Sequence, residues 1–237
     1  MIPLYDENPR RSVPVVTLAL IAANVVVFLW QATAGLEQYT YAMVPSLVTG
    51  AGPGMIRDGN DVYRMAHAAI PAWMTLFTSM FMHGGIMHIA GNMLFLWVFG
   101  DNIEDSLGKF RFLIFYLVCG VLASVAHIMI GPASQIPTVG ASGAIAGVMG
   151  GYILLHPNVG IKALVPLGLY TTITTVPAWM MLGFWFLYQL LLQILDSGQG
   201  GGVAYAAHVG GFIAGLVLVK LFAASRPPQY MPDNWTQ

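Results

Sequence analysis

Long apolar runs without a charged side chain, separated by short polar segments, dominate the pattern along this chain of 237 residues. A helix needs about 20 apolar residues to cross the hydrocarbon core of a bilayer. Six runs approach that length, at about residues 13–32, 76–99, 111–131, 141–157, 177–195 and 203–224. The pattern predicts an all-α membrane protein with a six-transmembrane-helix domain over residues 13–224, a cytoplasmic N-terminal segment over residues 1–12 and a cytoplasmic tail over residues 225–237.

The composition supports a membrane protein. Only 8% of the residues are charged and the mean hydropathy is +0.71, whereas about 25% of residues are charged in ordinary soluble domains. So few charges cannot keep the chain soluble in water. We expect the lipid bilayer to surround it and expect no nucleic acid partner, while the composition does not define an oligomeric state.

The basic residues predict the orientation in the membrane. Arg57 and Arg64 lie on one side of the predicted spans, and the other seven lie opposite: Arg10, Arg11, Lys109, Arg111, Lys162, Lys220 and Arg226. Cytoplasmic loops are enriched in Lys and Arg, so we expect both termini in the cytoplasm of a multi-pass protein, in a bacterial inner (plasma) membrane. The first run, followed by Ala32-Thr33-Ala34, also fits a signal peptide, but its length favours a retained helix.

Two connecting segments are long. Residues 33–75 form an external loop between the first two spans, rich in turn-forming residues, and a loop of this length often has a function. We expect a partly embedded flap that shields a site. Residues 160–176 are predicted to be an irregular connection between spans four and five. Cys119 is the single cysteine, so no intrachain disulfide can form.

Small residues recur at helical spacing on two predicted spans. Span four carries Gly143, Gly147 and Gly151, and span six carries Gly211 and Gly215. Such faces allow helix backbones to approach closely in lipid. Ser142 precedes the first pattern and His208 precedes the second, so contact between the two faces would bring these side chains together.

The local setting of Ser142 is typical of a nucleophile. It lies in Gly140-Ala141-Ser142-Gly143, where small neighbours allow a substrate carbonyl to approach. Spans four and six both run inward, so Ser142 and His208 lie at similar depth in the outer third of the bilayer. A neutral His208 could then act as the base for Ser142. The alternatives are a serine bonded to its own helix and a histidine with a structural role.

Span two contains three further polar residues. His88 and Asn92 are four residues apart and share one helical face, whereas His83 projects elsewhere. Polar side chains inside a membrane are costly and usually functional. Two donors on one face suit a developing oxyanion, and the alternative is a hydrogen-bonding patch between helices.

These motifs, in this order, resemble the rhomboid intramembrane serine proteases. The resemblance extends from span one to span six and is carried by His83, His88, Asn92, Gly140, Ser142, Gly143, Ala207, His208, Gly210 and Gly211, with a further match from Phe99 to Gly108. It implies a six-helix bundle with a water-filled cavity open to the outside. It also implies a Ser142–His208 dyad, His88 and Asn92 at the oxyanion, and His83 fixing the external loop.

The resemblance further implies an intramembrane serine endopeptidase that needs no metal or cofactor. Its substrates would be single-span membrane proteins, cut in the outer part of their helix. Span five would be the lateral gate, with aromatic residues at Trp179, Phe184 and Trp185. Some family members place a tyrosine four residues after the serine, packed on the histidine. This chain has Ala146 there, which leaves open what orients His208.

The remaining polar residues suggest no additional chemistry. His67, His127 and His156 share no ligand spacing, so we expect no metal site. Gln189 and Gln193, four apart on span five, are expected to join helices. Two other functions remain open: a catalytically silent rhomboid-like protein that binds membrane helices, and a small transporter or proton conductor that uses the histidines.

Overall fold

The computed structural model describes residues 1–58, 61–65, 67–167, 170–196 and 202–223. Its helices are α1 (Val15–Ala34), α2 (Pro45–Thr49), α3 (Thr75–Thr78), α4 (Ile86–Leu107), α5 (Lys109–Ile130), α6 (Ser142–Leu155), α7 (Ala178–Leu195) and α8 (Tyr205–Phe222). Its strands are β1 (Ile2–Asp6), β2 (Gly54–Asp58), β3 (Asp61–Met65), β4 (Gly160–Leu167) and β5 (Tyr170–Pro177). The predicted tail over residues 225–237 lies outside the described residues.

The helical membrane bundle is confirmed, but the count of six spans is not. In the described part of the chain, four helical segments are long and apolar enough to cross a membrane: Val15–Tyr41, α5, α7 and α8. Counting α4 with the bent segment before it gives five. The α6 helix has 14 residues, or about 21 Å at 1.5 Å per residue. All residues from Gly143 to Tyr152 are buried, so protein rather than lipid surrounds most of α6.

The prediction of one straight helix over residues 76–99, the second span, is wrong. Short helical turns over Ala72–Phe81 are followed by a bend of 81° before α4 begins at Ile86. Gly84 and Gly85 lie at the bend, and Gly85 is fully extended, which an interior helical position would not allow. In the interior of a helix, glycine is also less favourable than alanine by about 1 kcal/mol. His83 therefore precedes the helix, while His88 lies in its first turn.

The α4 helix also extends past the predicted end, to Leu107. Glu104, near this end, is buried and accepts hydrogen bonds from the backbone of Val16 and Thr17 at 3.0 and 2.8 Å. These amides open α1, where a helix leaves its N–H groups unpaired. A carboxylate is favourable there because the N-terminal end of a helix carries partial positive charge. Glu104, one of the acidic residues that follow the predicted end of this span, thus joins α4 to α1.

The two glycine faces meet as predicted. A Cβ atom on Gly215 would lie 1.8 Å from the carbonyl oxygen of Gly147, and one on Gly211 would lie 2.1 Å from that of Gly143. No side chain fits at these distances. Helices α6 and α8 therefore pack backbone against backbone, which fixes the start of α6 beside the start of α8.

Residues 160–176 are not irregular, in contrast to the prediction. Strands β4 and β5 form an antiparallel hairpin, and β1 pairs with β4, with Ile2 opposite Leu164. The stretch from Tyr170 to Val176 is rich in Thr, Ile and Val, which favour strands, but the pairing of β4 with the N-terminal β1 is a long-range contact. This small sheet lies at the end of the bundle opposite Ser142.

The loop over residues 33–75, which the sequence predicts to be external, has structure of its own. It contains a 3-10 helix (Gly35–Tyr41), α2 and the β2–β3 hairpin, with a small core of Val44, Ile56 and Met65. The backbone N–H of Thr138 donates to Met43 at 2.7 Å, and that of Met55 donates to Gln135 at 2.7 Å. The loop is thereby joined to the segment that leads into Ser142.

Candidate active site

Ser142 is the first residue of α6 and is half-buried. Gly140, two residues earlier, has a φ of +134°, a value that L side chains rarely adopt. A Cβ on Gly140 would also lie 2.8 Å from Nε2 of His88, and one on Gly143 would lie 2.7 Å from Cβ of Ala123. A side chain at position 140 or 143 would therefore clash with a neighbouring residue, which explains the glycines on either side of Ala141 and Ser142.

His208 lies in the first turn of α8, and its Nε2 is 2.7 Å from Oγ of Ser142. The ring is 9% exposed. The two residues are 66 positions apart in the sequence, and the close packing of α6 on α8 brings them into hydrogen-bonding distance. The contact that sequence spacing and depth predicted is present in the structure.

The other side of the His208 ring faces α7. Nδ1 of His208 lies 2.8 Å from Oε1 of Gln189. The ring of Trp185 lies over the imidazole, with 5.8 Å between ring centroids and 35° between planes. Trp179 and Phe184, the other two aromatic residues expected at a gate, are exposed. Ala146 is fully buried, and the aromatic ring that packs on His208 belongs to Trp185 of α7.

The contact of Gln189 with the base was not predicted. The sequence suggested that this residue joins helices, which it does, but through the imidazole of His208. One signal was available: Asp and Glu are absent from the sequence between Asp105 and Asp196 and from α8. A neutral side chain was therefore the available acceptor for the histidine within these helices.

His88 and Asn92 line the same cavity as Ser142 and His208. The backbone N–H of Gly84 donates to Nδ1 of His88 at 3.2 Å. Since a neutral imidazole carries one proton, Nε2 of His88 is then the protonated nitrogen, and it is the atom nearest to a Cβ on Gly140. Asn92 is buried, and its Nδ2 has no acceptor among the described residues. Two N–H donors are thus available near Ser142.

His83 lies against the C-terminal part of α1. Gln31 of α1 holds its backbone through two hydrogen bonds, to the N–H at 2.8 Å and to the carbonyl at 3.2 Å. Its ring packs edge-on against His88, with 5.1 Å between centroids. Within the described part of the chain its ring nitrogens have no hydrogen-bond partner. The His83 ring thus contacts His88, and its role in fixing the external loop stays a prediction.

A cavity of about 930 Å³ connects Ser142 and His208 with His88 and Asn92. Polar side chains of Ser124, His127 and Thr138 also line it, and Thr138 hydrogen-bonds His127 at 3.3 Å. This lining can hold water beside Ser142. Across the described ranges, no three His, Cys, Asp or Glu side chains are grouped so that they could hold a metal ion.

Comparison with known proteins shows the family. The profile of the Rhomboid domain matches residues 71–225, more than half of the chain. Rhomboid protease GluP of Bacillus subtilis (strain 168) is 35% identical over 146 residues, 62% of this chain and 26% of that protein. Rhomboid-like protein 11, chloroplastic, of Arabidopsis thaliana is 27% identical over 164 residues, 65% of this chain and 54% of that protein.

A further relative aligns with more of the chain. Rhomboid protease AarA of Providencia stuartii is 27% identical over 225 residues, covering 85% of this chain and 70% of that protein. The first two relatives are matched over only 26% and 54% of their own lengths. The profile match contains α4 to α8, and with them Ser142, His208, His88 and Asn92 of the cavity. The chain is a multi-pass membrane protein that belongs to the rhomboid family.

Proposed function

We propose that this protein is an intramembrane serine endopeptidase whose catalytic residues are Ser142 and His208. The observation that carries the proposal is the distance of 2.7 Å between Oγ of Ser142 and Nε2 of His208. A serine hydroxyl is a weak nucleophile unless an adjacent base takes its proton. The named rhomboid proteases among its relatives support the same activity.

The reaction would proceed by acyl transfer. Ser142 gives its proton to Nε2 of His208 while Oγ bonds to the substrate carbonyl carbon. His208 then returns the proton to the leaving amine as the C–N bond breaks, which leaves an acyl-enzyme. A water from the cavity repeats the cycle: it loses a proton to Nε2, attacks the ester, and the proton returns to Ser142.

Hydrogen-bond donors that are in position before the reaction stabilise the negative charge that develops on the substrate oxygen. Nε2–H of His88 and Nδ2–H of Asn92 supply two, and the backbone N–H groups at the start of α6 supply more, because the first amides of a helix have no intrahelical partner. Gly140 supports this role through shape, since a side chain there would occupy the space beside His88.

The substrates we propose are single-span membrane proteins, cut in the outer part of their helix. Two features support this: the site lies within the bundle, and α7, whose Gln189 and Trp185 contact His208, exposes the aromatic residue Phe184. A substrate helix that unwinds beside α7 could place its backbone in the cavity. Small or helix-breaking residues near the cleaved bond would ease that unwinding.

For the orientation we propose cytoplasmic termini in a bacterial inner membrane. Pairing of β1 with β4 places the N-terminal segment and the α6–α7 connection at one end of the bundle. Lys162 of β4 lies 3.8 Å from Glu7, and Arg11 donates its backbone N–H to Asp105 at 2.6 Å. The N-terminal segment, the α4–α5 connection and the α6–α7 connection, which carry basic residues, thus lie at one end of the bundle, which supports the positive-inside assignment.

Labelling with a fluorophosphonate tests the proposal. The reagent reacts with an activated serine, so purified protein in detergent should be labelled at Ser142. Ser142→Ala should abolish labelling, and His208→Ala should reduce it strongly because the base is lost. Ser12→Ala, a serine variant at the far end of the bundle, is the matched control and should be labelled like the wild type. Absence of label in folded wild-type protein would favour the catalytically silent or transporter alternatives.

A further inference from the structure

Two side chains of α7 hold the imidazole of His208. Gln189 is 2.8 Å from Nδ1 through its Oε1, and Trp185, one helical turn earlier, covers a face of the ring. Gln189 is 7% exposed and His208 is 9% exposed. The hydrogen bond therefore lies in an interior from which bulk water is largely excluded, and where its geometry constrains the ring.

The chemistry of the two groups defines where the imidazole proton lies. An amide oxygen can only accept a hydrogen bond, so the proton must be on Nδ1 of His208. A neutral imidazole carries a single N–H, and Nε2 is then left with its lone pair. That lone pair faces the hydroxyl of Ser142 at 2.7 Å. In the opposite tautomer, Nε2 would carry the proton and could not accept another from Ser142.

An amide suits this position better than a carboxylate. Burying an ionised carboxylate within a membrane bundle is costly, and helices α5 to α8 contain no Asp or Glu. The carbonyl dipole of an amide stabilises the Nδ1–H bond, and stabilises it more when the ring becomes positively charged during proton transfer. It does so without placing a net charge in the bundle.

We propose that Gln189 is a positioning residue of this site, which selects the Nδ1-protonated tautomer of His208 and so leaves Nε2 free to take the serine proton. The proposal rests on the proposed function for its catalytic consequence. The tautomer itself is a property of the folded protein and can be measured whether or not a substrate is cleaved. Helix α7, which exposes Phe184 and Tyr188 on its outer face, would thereby determine the protonation state of the base.

The direct test is the tautomer of His208. Protein labelled with ¹⁵N-histidine is placed in liposomes, and the ring nitrogens are observed by solid-state NMR near pH 8, with His208 assigned by the signals lost in His208→Ala. We expect protonated Nδ1 and unprotonated Nε2 in the wild type. Gln189→Leu should give a mixture with protonated Nε2. An unchanged tautomer in folded Gln189→Leu would overturn the proposal.

Kinetics with a transmembrane-helix substrate provide the second readout. Gln189→Leu should lower kcat by about 10- to 100-fold, within the range for loss of acid–base catalysis, and should leave KM within about twofold because His208 acts after binding. Gln189→Glu keeps an acceptor oxygen at the same length but adds a carboxyl group that is costly to bury, so it should recover only part of the lost kcat. A wild-type kcat in folded Gln189→Leu would contradict a role for the acceptor.

Two further variants are controls for local disruption of α7 and for loss of folding. Tyr188→Leu changes the adjacent residue, whose side chain is exposed, and should keep the wild-type kcat. Gln189→Met, with a similar length and no strong acceptor, replaces Gln189→Leu if the latter does not fold. A wild type that shows the Nδ1 tautomer yet cleaves no substrate would refute the proposed function and not the positioning. A cleaving wild type with unchanged kinetics in Gln189→Leu would refute the positioning alone.

Discussion

Gly215 of α8 packs directly on the backbone of Gly147 of α6, so closely that a Cβ on Gly215 would lie 1.8 Å from the Gly147 carbonyl oxygen. This contact lies below the candidate site and fixes the separation of the two helices that carry Ser142 and His208. Any side chain at position 215 must push the helices apart. The distance between hydroxyl and imidazole then increases with the helix separation.

Gly215→Ala should therefore reduce both stability and proteolysis. Overpacking of a close contact costs about 1–3 kcal/mol, which thermal unfolding in detergent would detect as a lower midpoint. The control is Gly183→Ala on α7, where a Cβ would meet nothing within 4 Å. That variant should be as stable as the wild type or more so, since alanine favours helix. Equal midpoints for Gly215→Ala and Gly183→Ala would refute the close packing.

The oxyanion role predicts effects on turnover rather than on binding. His88→Ala and Asn92→Ala should each lower kcat, by up to about 10²-fold for a main donor, with little change in KM. Steady-state cleavage of a transmembrane-helix substrate provides both constants. His67→Ala, in the external loop, is the histidine control and should cleave normally. Wild-type kcat in both site variants would remove His88 and Asn92 from this role.

Gly140 offers a test of the space beside Ser142. Gly140→Ala places a Cβ 2.8 Å from Nε2 of His88 at a φ of +134°. Such a backbone conformation costs about 1–3 kcal/mol for a residue with a side chain, and the contact displaces the His88 ring. We expect lower stability and a lower kcat. The control is Gly52→Ala in the external loop, where a Cβ meets only an ordinary contact at 3.7 Å, and this variant should have the stability and kcat of the wild type. Wild-type stability and kcat in Gly140→Ala would contradict this geometry.

Asp6 of β1 predicts a pH dependence of stability. Burial raises the pKa of Asp6 to about 6, above the value of about 3.9 expected in an unfolded chain. The folded state thus binds the proton more tightly, and the stabilisation from this group is present at low pH and lost as the pH rises through about 6. Tyr152 of α6 and Asn102 both donate to its carboxyl.

Asp6→Asn should remove this dependence, because the amide keeps an acceptor oxygen and does not ionise. The thermal unfolding midpoint of Asp6→Asn should exceed that of the wild type at pH 7 to 8 and approach it near pH 4. Thermal unfolding of both proteins in the same detergent measures this difference. Asp61→Asn, on the exposed β2–β3 hairpin, is the matched control and should retain the wild-type slope. A slope that persists in Asp6→Asn would show that other groups cause it.

The sequence predicted those features that depend on local pattern. Charge-free runs located most of the helices, and the spacing of Gly143, Gly147, Gly211 and Gly215 predicted which faces meet. The depth argument then paired Ser142 with His208, which the structure places 2.7 Å apart. Each of these inferences uses residues close together in the chain or a property of the bilayer.

Features that depend on distant partners were not predictable in this way. The bend before α4 follows from Gly84 and Gly85. The residues on both sides of these glycines are apolar, so the pattern predicted one continuous span. Strand β1 forms because β4 lies beside it, about 160 residues later in the chain. Gln189 resembles many polar residues that join membrane helices, and only the fold shows that its partner is the imidazole of His208.

Cleavage by two single-residue variants tests the central claim most directly. Wild-type protein, Ser142→Ala, His208→Ala and the control His67→Ala are reconstituted in liposomes with a single-span substrate, and the products are identified by mass spectrometry. The serine–imidazole contact predicts cleavage within the substrate's outer membrane segment by the wild type and His67→Ala, and none by the other two. Normal cleavage by folded Ser142→Ala or His208→Ala would contradict it.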